Sequence, residues 1–490
     1  MAEPIMLQGT MSNVGKSFLT AALCRIFRQD GYSCAPFKSQ NMALNSYVTA
    51  DGLEIGRAQA MQAEAAGIEP SALMNPVLLK PTTDVGSQVI VNGKVRGNMR
   101  AAEYFRHKKE LIPDIMQAYR TLSEQYDIIV IEGAGSPVEL NLKADDIVNM
   151  GLAQLVRSPV LLVGDIDRGG VFAQLLGTLS LLEAHEQDMV KGLVVNQFRG
   201  DSSLFRDGIS ILEECSRKPV AGVVPYISCN IEDEDSLSGR LEKKSISGII
   251  DIAVIRLPKI SNFTDLDVFE QYDGVSVRYV SASRELGTPD MIVIPGTKST
   301  ISDMKWLRVS GVEEEIKKCA LSYGIPVFGI CGGYQLMGRS VSDPESNECG
   351  GSISGMGLLD GETVFGSEKK QTRVSGKFNK LSGFFSCLSG AGFHGYEIHM
   401  GSTTDTGTAL TDCGGSVSGN AAGCYVHGIF DSEEVSGRLV KRLFEAKGLE
   451  YTGHFSSRRE YRQKQFDIIA DTVRRNIDME LIYRIIREGI

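Results

Sequence analysis

Ile5-Met6-Leu7-Gln8-Gly9-Thr10-Met11-Ser12-Asn13-Val14-Gly15-Lys16-Ser17 is a short apolar run that breaks into a glycine-bounded loop and ends in Gly-Lys-Ser. A helix-compatible stretch, Phe18 to Gln29, follows at once. Strand, loop and helix in that order make a phosphate cradle. The backbone N–H groups from Gly9 through Thr10, Ser12, Asn13 and Val14 to Gly15 point inward, and the helix N-terminus adds positive potential. Lys16 is expected to reach the outer phosphates of ATP and the Ser17 hydroxyl to ligate Mg²⁺. The loop departs from the usual pattern in one way: five residues, Thr10 to Val14, separate the first glycine from Gly15-Lys16, where four are usual.

Working outward, further apolar runs lack alternation: Ile128 to Ile131, Val160 to Val163, Leu193 to Val195 and Val220 to Val224. Such runs suit strands buried on both faces, so the first half reads as α/β around a parallel sheet with ligands at the carboxyl ends of its strands. A charged and polar stretch at 231–250 reads as a linker between a nucleotide domain at 1–230 and a second α/β domain at 251–445. The second domain has strands at Ile252 to Ile255, Val277 to Val280, Met291 to Ile294 and Pro326 to Ile330. The Gly/Ser-rich part from Cys349 to Gly423 is expected to hold shorter strands and loops. Residues 446–490 read as a helical C-terminal extension. Its stripe of Ile469, Val473, Ile477, Leu481, Ile482, Ile485 and Ile486 suits packing on the protein itself better than a membrane surface.

The chain has 490 residues, 42% hydrophobic and 23% charged, with a net charge of -10, which is an ordinary globular balance and not the basic face of a nucleic-acid binder. No window approaches a membrane span and the N-terminus lacks a signal-peptide pattern. The ten cysteines are scattered without metal-type CxxC spacing. The expectation is a soluble, cytoplasmic protein with reduced thiols, no nucleic-acid partner and no membrane partner; the sequence does not give its oligomeric state.

Four acidic residues bear on the phosphate site. Glu132 ends the run Ile128 to Ile131 and is well placed to hold Mg²⁺ directly or through water. Asp51, in Ala50-Asp51-Gly52, is a weaker ligand candidate. Asp145 and Asp146 could bind a second Mg²⁺, orient ammonia or accept its proton, or simply cap a helix; Asp146 is favoured of the two.

A second chemical centre is Val327-Phe328-Gly329-Ile330-Cys331-Gly332-Gly333-Tyr334-Gln335. An apolar strand running into Gly-x-Cys-x-Gly is a nucleophile elbow with sulfur as the reactive atom. A helix start after Cys331 favours thiolate, and the backbone N–H groups of Gly332 and Gly296 are candidate oxyanion donors. His427 is the favoured base, with His394 and His399 as rivals.

The five-residue loop spacing, Glu132-Gly133-Ala134-Gly135 and Pro36-Phe37-Lys38 resemble dethiobiotin synthetase. That resemblance implies Lys38 near substrate or phosphate, Asp51 and Glu132 on Mg²⁺, and Asn196 on adenine. Gly329-Ile330-Cys331-Gly332-Gly333-Tyr334-Gln335-Leu336 resembles class I glutamine amidotransferases, whose cysteine forms a thioester with glutamine and releases ammonia. Most members carry a glutamate two residues after the histidine; here that position is Ile429, so the site would be a Cys–His dyad or use another acid such as Glu397.

Longer stretches, from Pro36 to Ser46, Glu132 to Leu142, Gly164 to Phe172, Gly395 to Gly401 and Tyr425 to Gly428, resemble the cobyric acid synthase family of the cobalamin pathway. The resemblance implies ATP- and glutamine-dependent amidation of the b, d, e and g carboxylates of adenosylcobyrinic acid a,c-diamide through an acyl phosphate. The sister family that makes cobyrinic acid a,c-diamide is the alternative. A P-loop partitioning ATPase, which carries a second early lysine and no elbow cysteine, and a regulatory protein with a dead thiol site fit less well.

Overall fold

The computed structural model describes residues 1–81, 86–227, 246–453 and 458–490. Of the expected linker, residues 231–245 lie outside the described residues, as does His454. The chain divides into two units. The first contains Met1–Ala43, Leu53–Ile231 and Arg462–Ile490; the second contains Leu44–Gly52 and Glu232–Tyr461.

The first unit is built on six strands, in the order Val220–Pro225, Val190–Phe198, Val160–Asp165, Glu3–Gly9, Ile128–Glu132 and Cys34–Phe37. All neighbours are parallel. The central strands are buried on both faces, which is why their sequences do not alternate. Met6, Ile129, Ile131, Val160 and Leu162 enter one apolar cluster; Ile5, Leu7, Val130, Leu161 and Val163 enter another.

Strand order places the chemistry. Glu3–Gly9 lies between Ile128–Glu132 and Val160–Asp165, so the loop after Gly9 opens at the carboxyl edge beside Glu132. The register sets Leu7 opposite Glu132, and the Gly133 N–H donates to the Leu7 carbonyl at 2.9 Å.

The apolar stripe near the C-terminus belongs to two helices, Arg458–Asn476 and Met479–Glu488. Phe466, Ile469, Val473, Ile482 and Ile486 join the cluster that holds Ile5 and Leu7. Asp478 starts the second helix by accepting the Leu481 N–H at 3.0 Å, and Arg25 pairs with Asp467 at 2.8 Å. The stripe is therefore a layer of the first unit's own core. No helix among the described residues is long and apolar enough to cross a membrane.

In the second unit five parallel strands run in the order Val275–Val280, Ile250–Ile255, Met291–Ile294, Val327–Ile330 and Ala421–Cys424. Two antiparallel strands, Gly414–Ser418 and Thr408–Thr411, extend that sheet. The Gly/Ser-rich region departs from expectation. It forms long antiparallel partners, Glu362–Lys377 and Gly392–Thr404, of 16 and 13 residues. Most of the first of these faces solvent, so it lacks the apolar run that marks the buried strands.

Candidate active site

At the phosphate loop Gly15 adopts φ 88° and starts the helix Lys16–Gln29. A Cβ there would sit 2.3 Å from the Asn196 amide nitrogen, so the position needs glycine both for conformation and for space. Thr10 donates its hydroxyl to Gln174 at 3.1 Å, while Ser12 and Asn13 are exposed at the loop crest. The Asn196 amide donates to the Val14 carbonyl at 2.7 Å and Gln197 to the Asn13 carbonyl at 2.9 Å. Asn196 thus ties the end of its strand to the loop, a role sequence reading did not foresee beside the expected adenine contact.

Lys16 curls over the loop, donating to the Met11 carbonyl at 3.1 Å and the Gly135 carbonyl at 3.3 Å. Glu132, 1% exposed, is the hub. One of its oxygens accepts from Ser17 Oγ and Lys38 Nζ, both at 2.8 Å, and the other accepts from Gln62 at 2.6 Å. Gln62 was not singled out in the sequence, where a glutamine in the alanine-rich helix Arg57–Ala66 carries no signal. The hydroxyl and carboxylate oxygens of Ser17 and Glu132 are the hard donors that Mg²⁺ takes together with phosphate and water. Among the described residues there is no group of three or more His, Cys, Asp or Glu able to hold a metal by itself.

The two aspartate candidates stand differently. Asp51 falls in the stretch that packs with the second unit, and its carboxylate accepts the Thr49 hydroxyl at 2.5 Å. Asp146 accepts three backbone N–H groups, from Val148 at 2.8 Å and from Asn149 and Gly151 at 2.9 Å, just before the helix Met150–Val156. These bonds hold the turn that leads into the helix, whose N-cap position is Asn149. Asn149 in turn donates to the Ala134 carbonyl at 2.6 Å and the Ser136 carbonyl at 3.1 Å, ordering the loop after Glu132.

In the second unit Cys331 sits at the turn between the strand Val327–Ile330 and the helix Gly332–Met337, with φ 53° and ψ -110°. A left-handed cysteine is a costly conformation that functional turns retain. The glycines beside it are forced by space: a Cβ on Gly333 would lie 1.9 Å from the Ile294 carbonyl oxygen, and one on Gly332 2.8 Å from the Thr297 nitrogen. Gly296 lies against the His427 ring, where a Cβ would approach Cε1 to 3.0 Å.

The Cys331 thiol reaches the Ile398 carbonyl at 3.8 Å, and its sulfur is close enough to His427 to act on the imidazole electrostatically. His427, 1% exposed, bonds through Nδ1 to Asp265 Oδ2 at 2.7 Å, and Asp265 Oδ1 accepts the Gly428 N–H at 3.0 Å. Burial pushes the imidazole down, but the Asp265 carboxylate and the Cys331 sulfur outweigh it and push the value up to about 10. Asp265 is the third member that the sequence did not reveal. Glu397 does not take that place: it pairs with Lys370 and lies 3.7 Å from His399. Of the rival histidines, His399 stacks on Tyr425 with its Nδ1 2.7 Å from the Gly401 carbonyl, and His394 bonds to Ser375 at 2.8 Å. A thiol, an imidazole and an orienting carboxylate in series can generate a nucleophile and return its proton to a leaving nitrogen.

Asp265→Asn is expected to lower the hydrolysis of glutamine by about 10²–10⁴-fold through loss of imidazole orientation. The raised His427 value means the imidazolium persists up to about 10 and is lost as pH rises past it. Without the carboxylate that loss moves to lower pH. Glutamate release measured across pH checks both effects; an unchanged rate and profile would remove Asp265 from the series.

Residues 5–237 match the CobQ/CobB/MinD/ParA nucleotide binding domain, and residues 251–435 the CobB/CobQ-like glutamine amidotransferase domain. The chain is 54% identical to the cobyric acid synthase of Ruminiclostridium cellulolyticum, covering 100% of this chain and 98% of that one. It is 53% identical to the cobyric acid synthase of Lachnoclostridium phytofermentans, covering 100% of each. Against the cobyric acid synthase of Clostridium acetobutylicum it is 48% identical over 98% of each. Both domain models match within this one chain, and relatives about half identical span its whole length: the chain belongs to the cobyric acid synthase family of ATP-dependent amidating ligases.

Proposed function

We propose that this enzyme amidates the b, d, e and g carboxylates of adenosylcobyrinic acid a,c-diamide, using ATP to activate each acid and glutamine as the nitrogen source. The observation that carries the reading is the presence on one chain of the Ser17–Glu132–Lys38 cluster at a phosphate loop and the Cys331–His427–Asp265 series at an elbow.

In the glutaminase half, Cys331 attacks the side-chain amide of glutamine. The N–H groups of Gly332 and Gly296 receive the developing oxyanion, and His427 returns the proton to the departing ammonia. Water then cleaves the thioester to glutamate. In the other half the loop from Gly9 to Ser17 holds the phosphates and Lys16 offsets charge on the transferring group. Ser17 and Glu132 would hold Mg²⁺, which supplies charge neutralisation when bound. Lys38 steadies the carboxylate that becomes the acyl phosphate, and ammonia displaces the phosphate to give the amide. Asp146 acts in this reading by setting Asn149 and the loop from Ala134 to Ser136.

The test is amidation resolved by mass, with ATP, Mg²⁺ and glutamine. Stepwise conversion of adenosylcobyrinic acid a,c-diamide, with one ADP and one glutamate for each amide, is the expected result. Conversion of cobyrinic acid at its a and c positions instead would move the assignment to the sister reaction, and turnover of neither corrinoid would overturn the substrate.

A further inference from the structure

The stretch Leu44–Gly52 precedes the linker by well over a hundred residues, yet it packs within the second unit. Its contacts there converge on the groups that hold the thiol site. The Asn45 side-chain oxygen accepts the Asn262 N–H at 2.7 Å, and the Ser46 N–H donates to Asn262 Oδ1 at 3.0 Å. All three residues are buried. Asn262 has φ 51° and starts the 3₁₀ helix Phe263–Gln271, on whose first turn Asp265 stands. The Asp265 N–H donates to the Asn262 carbonyl at 3.2 Å.

A second path runs to the histidine. The Tyr396 hydroxyl donates to the Ser46 carbonyl at 3.1 Å, and the Tyr396 ring stacks on His427 at 5.3 Å between centroids. Tyr396 and His427 also exchange backbone hydrogen bonds, at 3.0 and 2.8 Å. A third reaches the sulfur. Val48 forms a small buried apolar cluster with Tyr396 and Ile398, and the Ile398 carbonyl lies 3.8 Å from Cys331 Sγ. Arg373 and Gln371 fasten the far end, donating to the Val48 carbonyl at 3.2 Å and the Gly52 carbonyl at 2.7 Å.

We propose that Leu44–Gly52 is a positioning element of the glutaminase centre, with Asn45 fixing Asp265 through the left-handed Asn262. The proposal rests on the reading of Cys331 as the glutaminase nucleophile. Asparagine tolerates the left-handed region better than other residues with a Cβ, and at Asn262 both the N–H and the side-chain oxygen are held by the 44–52 stretch. Losing the Asn45 acceptor leaves a buried N–H unpaired and frees that geometry. Displacement of a catalytic group by about 1 Å can cost on the order of 10²-fold in rate.

The experiment is a double-mutant cycle on the full chain, with glutamate release from glutamine as the readout and no corrinoid needed. Asn45→Ala is expected to lower kcat by about 10–10²-fold with KM for glutamine changed by no more than about threefold. In an Asp265→Asn background it is expected to cost nothing further, because the group it positions is already lost. Equal costs in the two backgrounds, or no cost in either, overturn the proposal. Tyr396→Phe, which removes only the hydroxyl held by Ser46, reads the same question at His427 if Asn45→Ala does not fold: an undiminished kcat there overturns it. Because glutamate release is scored without a corrinoid, failure of the proposed acceptor is distinguishable from failure of this inference.

Discussion

Cys331→Ala is expected to abolish glutamine-driven amidation, a fall on the order of 10⁵-fold or more, while ammonium-driven amidation is expected to stay within about twofold of the wild type. The size follows from chemistry. The attacking sulfur is gone, and an alanine there leaves His427 and Asp265 in place with nothing to activate. The selectivity follows from architecture, because the phosphate loop, Lys38 and Glu132 belong to a different unit from the cysteine. The substitution removes one buried heavy atom from a residue 7% exposed and leaves the surrounding glycines untouched, so folding is expected to survive. Product mass and glutamate release, measured with glutamine and then with ammonium chloride, give the comparison. A parallel loss with both nitrogen sources would mean that the cysteine serves the ligase reaction itself.

Glu132→Gln is expected to show the opposite selectivity: amidation falls by about 10²–10³-fold with glutamine and with ammonium alike. Three donors converge on this carboxylate, and one, Lys38, is an ammonium whose side chain is 6% exposed. A neutral amide leaves that charge without its counter-ion, and its NH₂ group meets other donors. Breaking a buried pair from one side costs on the order of 3–5 kcal/mol, so the variant also unfolds at a lower temperature. A thermal melt separates the two effects. Lys38→Met made together with Glu132→Gln is expected to recover stability without recovering amidation, because the buried charge facing an amide is gone while the carboxylate proposed to hold Mg²⁺ and the lysine proposed to steady the substrate acid are both missing. Recovery of amidation by the double variant would reduce Glu132 to a counter-ion.

The chemistry that was legible in the sequence lies in contiguous motifs. Gly9 to Ser17, Glu132 after four apolar residues and Cys331 between glycines each combine a strand end with a reactive group over a few positions. The parallel sheets were legible for a related reason: a strand covered on both sides cannot alternate. What escaped depends on contacts distant in sequence. Asp265 meets His427 across 162 positions and sits on a 3₁₀ turn whose sequence, Phe263-Thr264-Asp265-Leu266-Asp267, offers two aspartates with nothing to choose between them. Glu397 was the natural alternative because it shares a motif with His399, and Lys370, opposite that histidine on the neighbouring strand, claims it. Asn196 and Gln62 act on loops contributed by other elements, which no local pattern encodes. The long strand Glu362–Lys377 was hidden by its wet face.

The closing layer of the nucleotide half comes from the last residues of the chain. Phe466, Ile469, Val473 and Ile482 cover the same apolar surface as Ile5, Leu7 and Leu23. During synthesis the phosphate loop therefore emerges before its cover, with the whole glutaminase half translated in between. The nascent ligase half must wait, one face of its sheet open, for the final helices to emerge. A stop codon after Tyr461 would leave the cysteine, histidine and aspartate of the thiol centre intact while stripping the nucleotide half of its lid. For the same reason a gene fragment ending at Tyr226 would encode an aggregation-prone torso rather than a working ATP module. Any attempt to separate the two activities has to carry residues 462–490 with the N-terminal half, supplied in trans or spliced on by circular permutation.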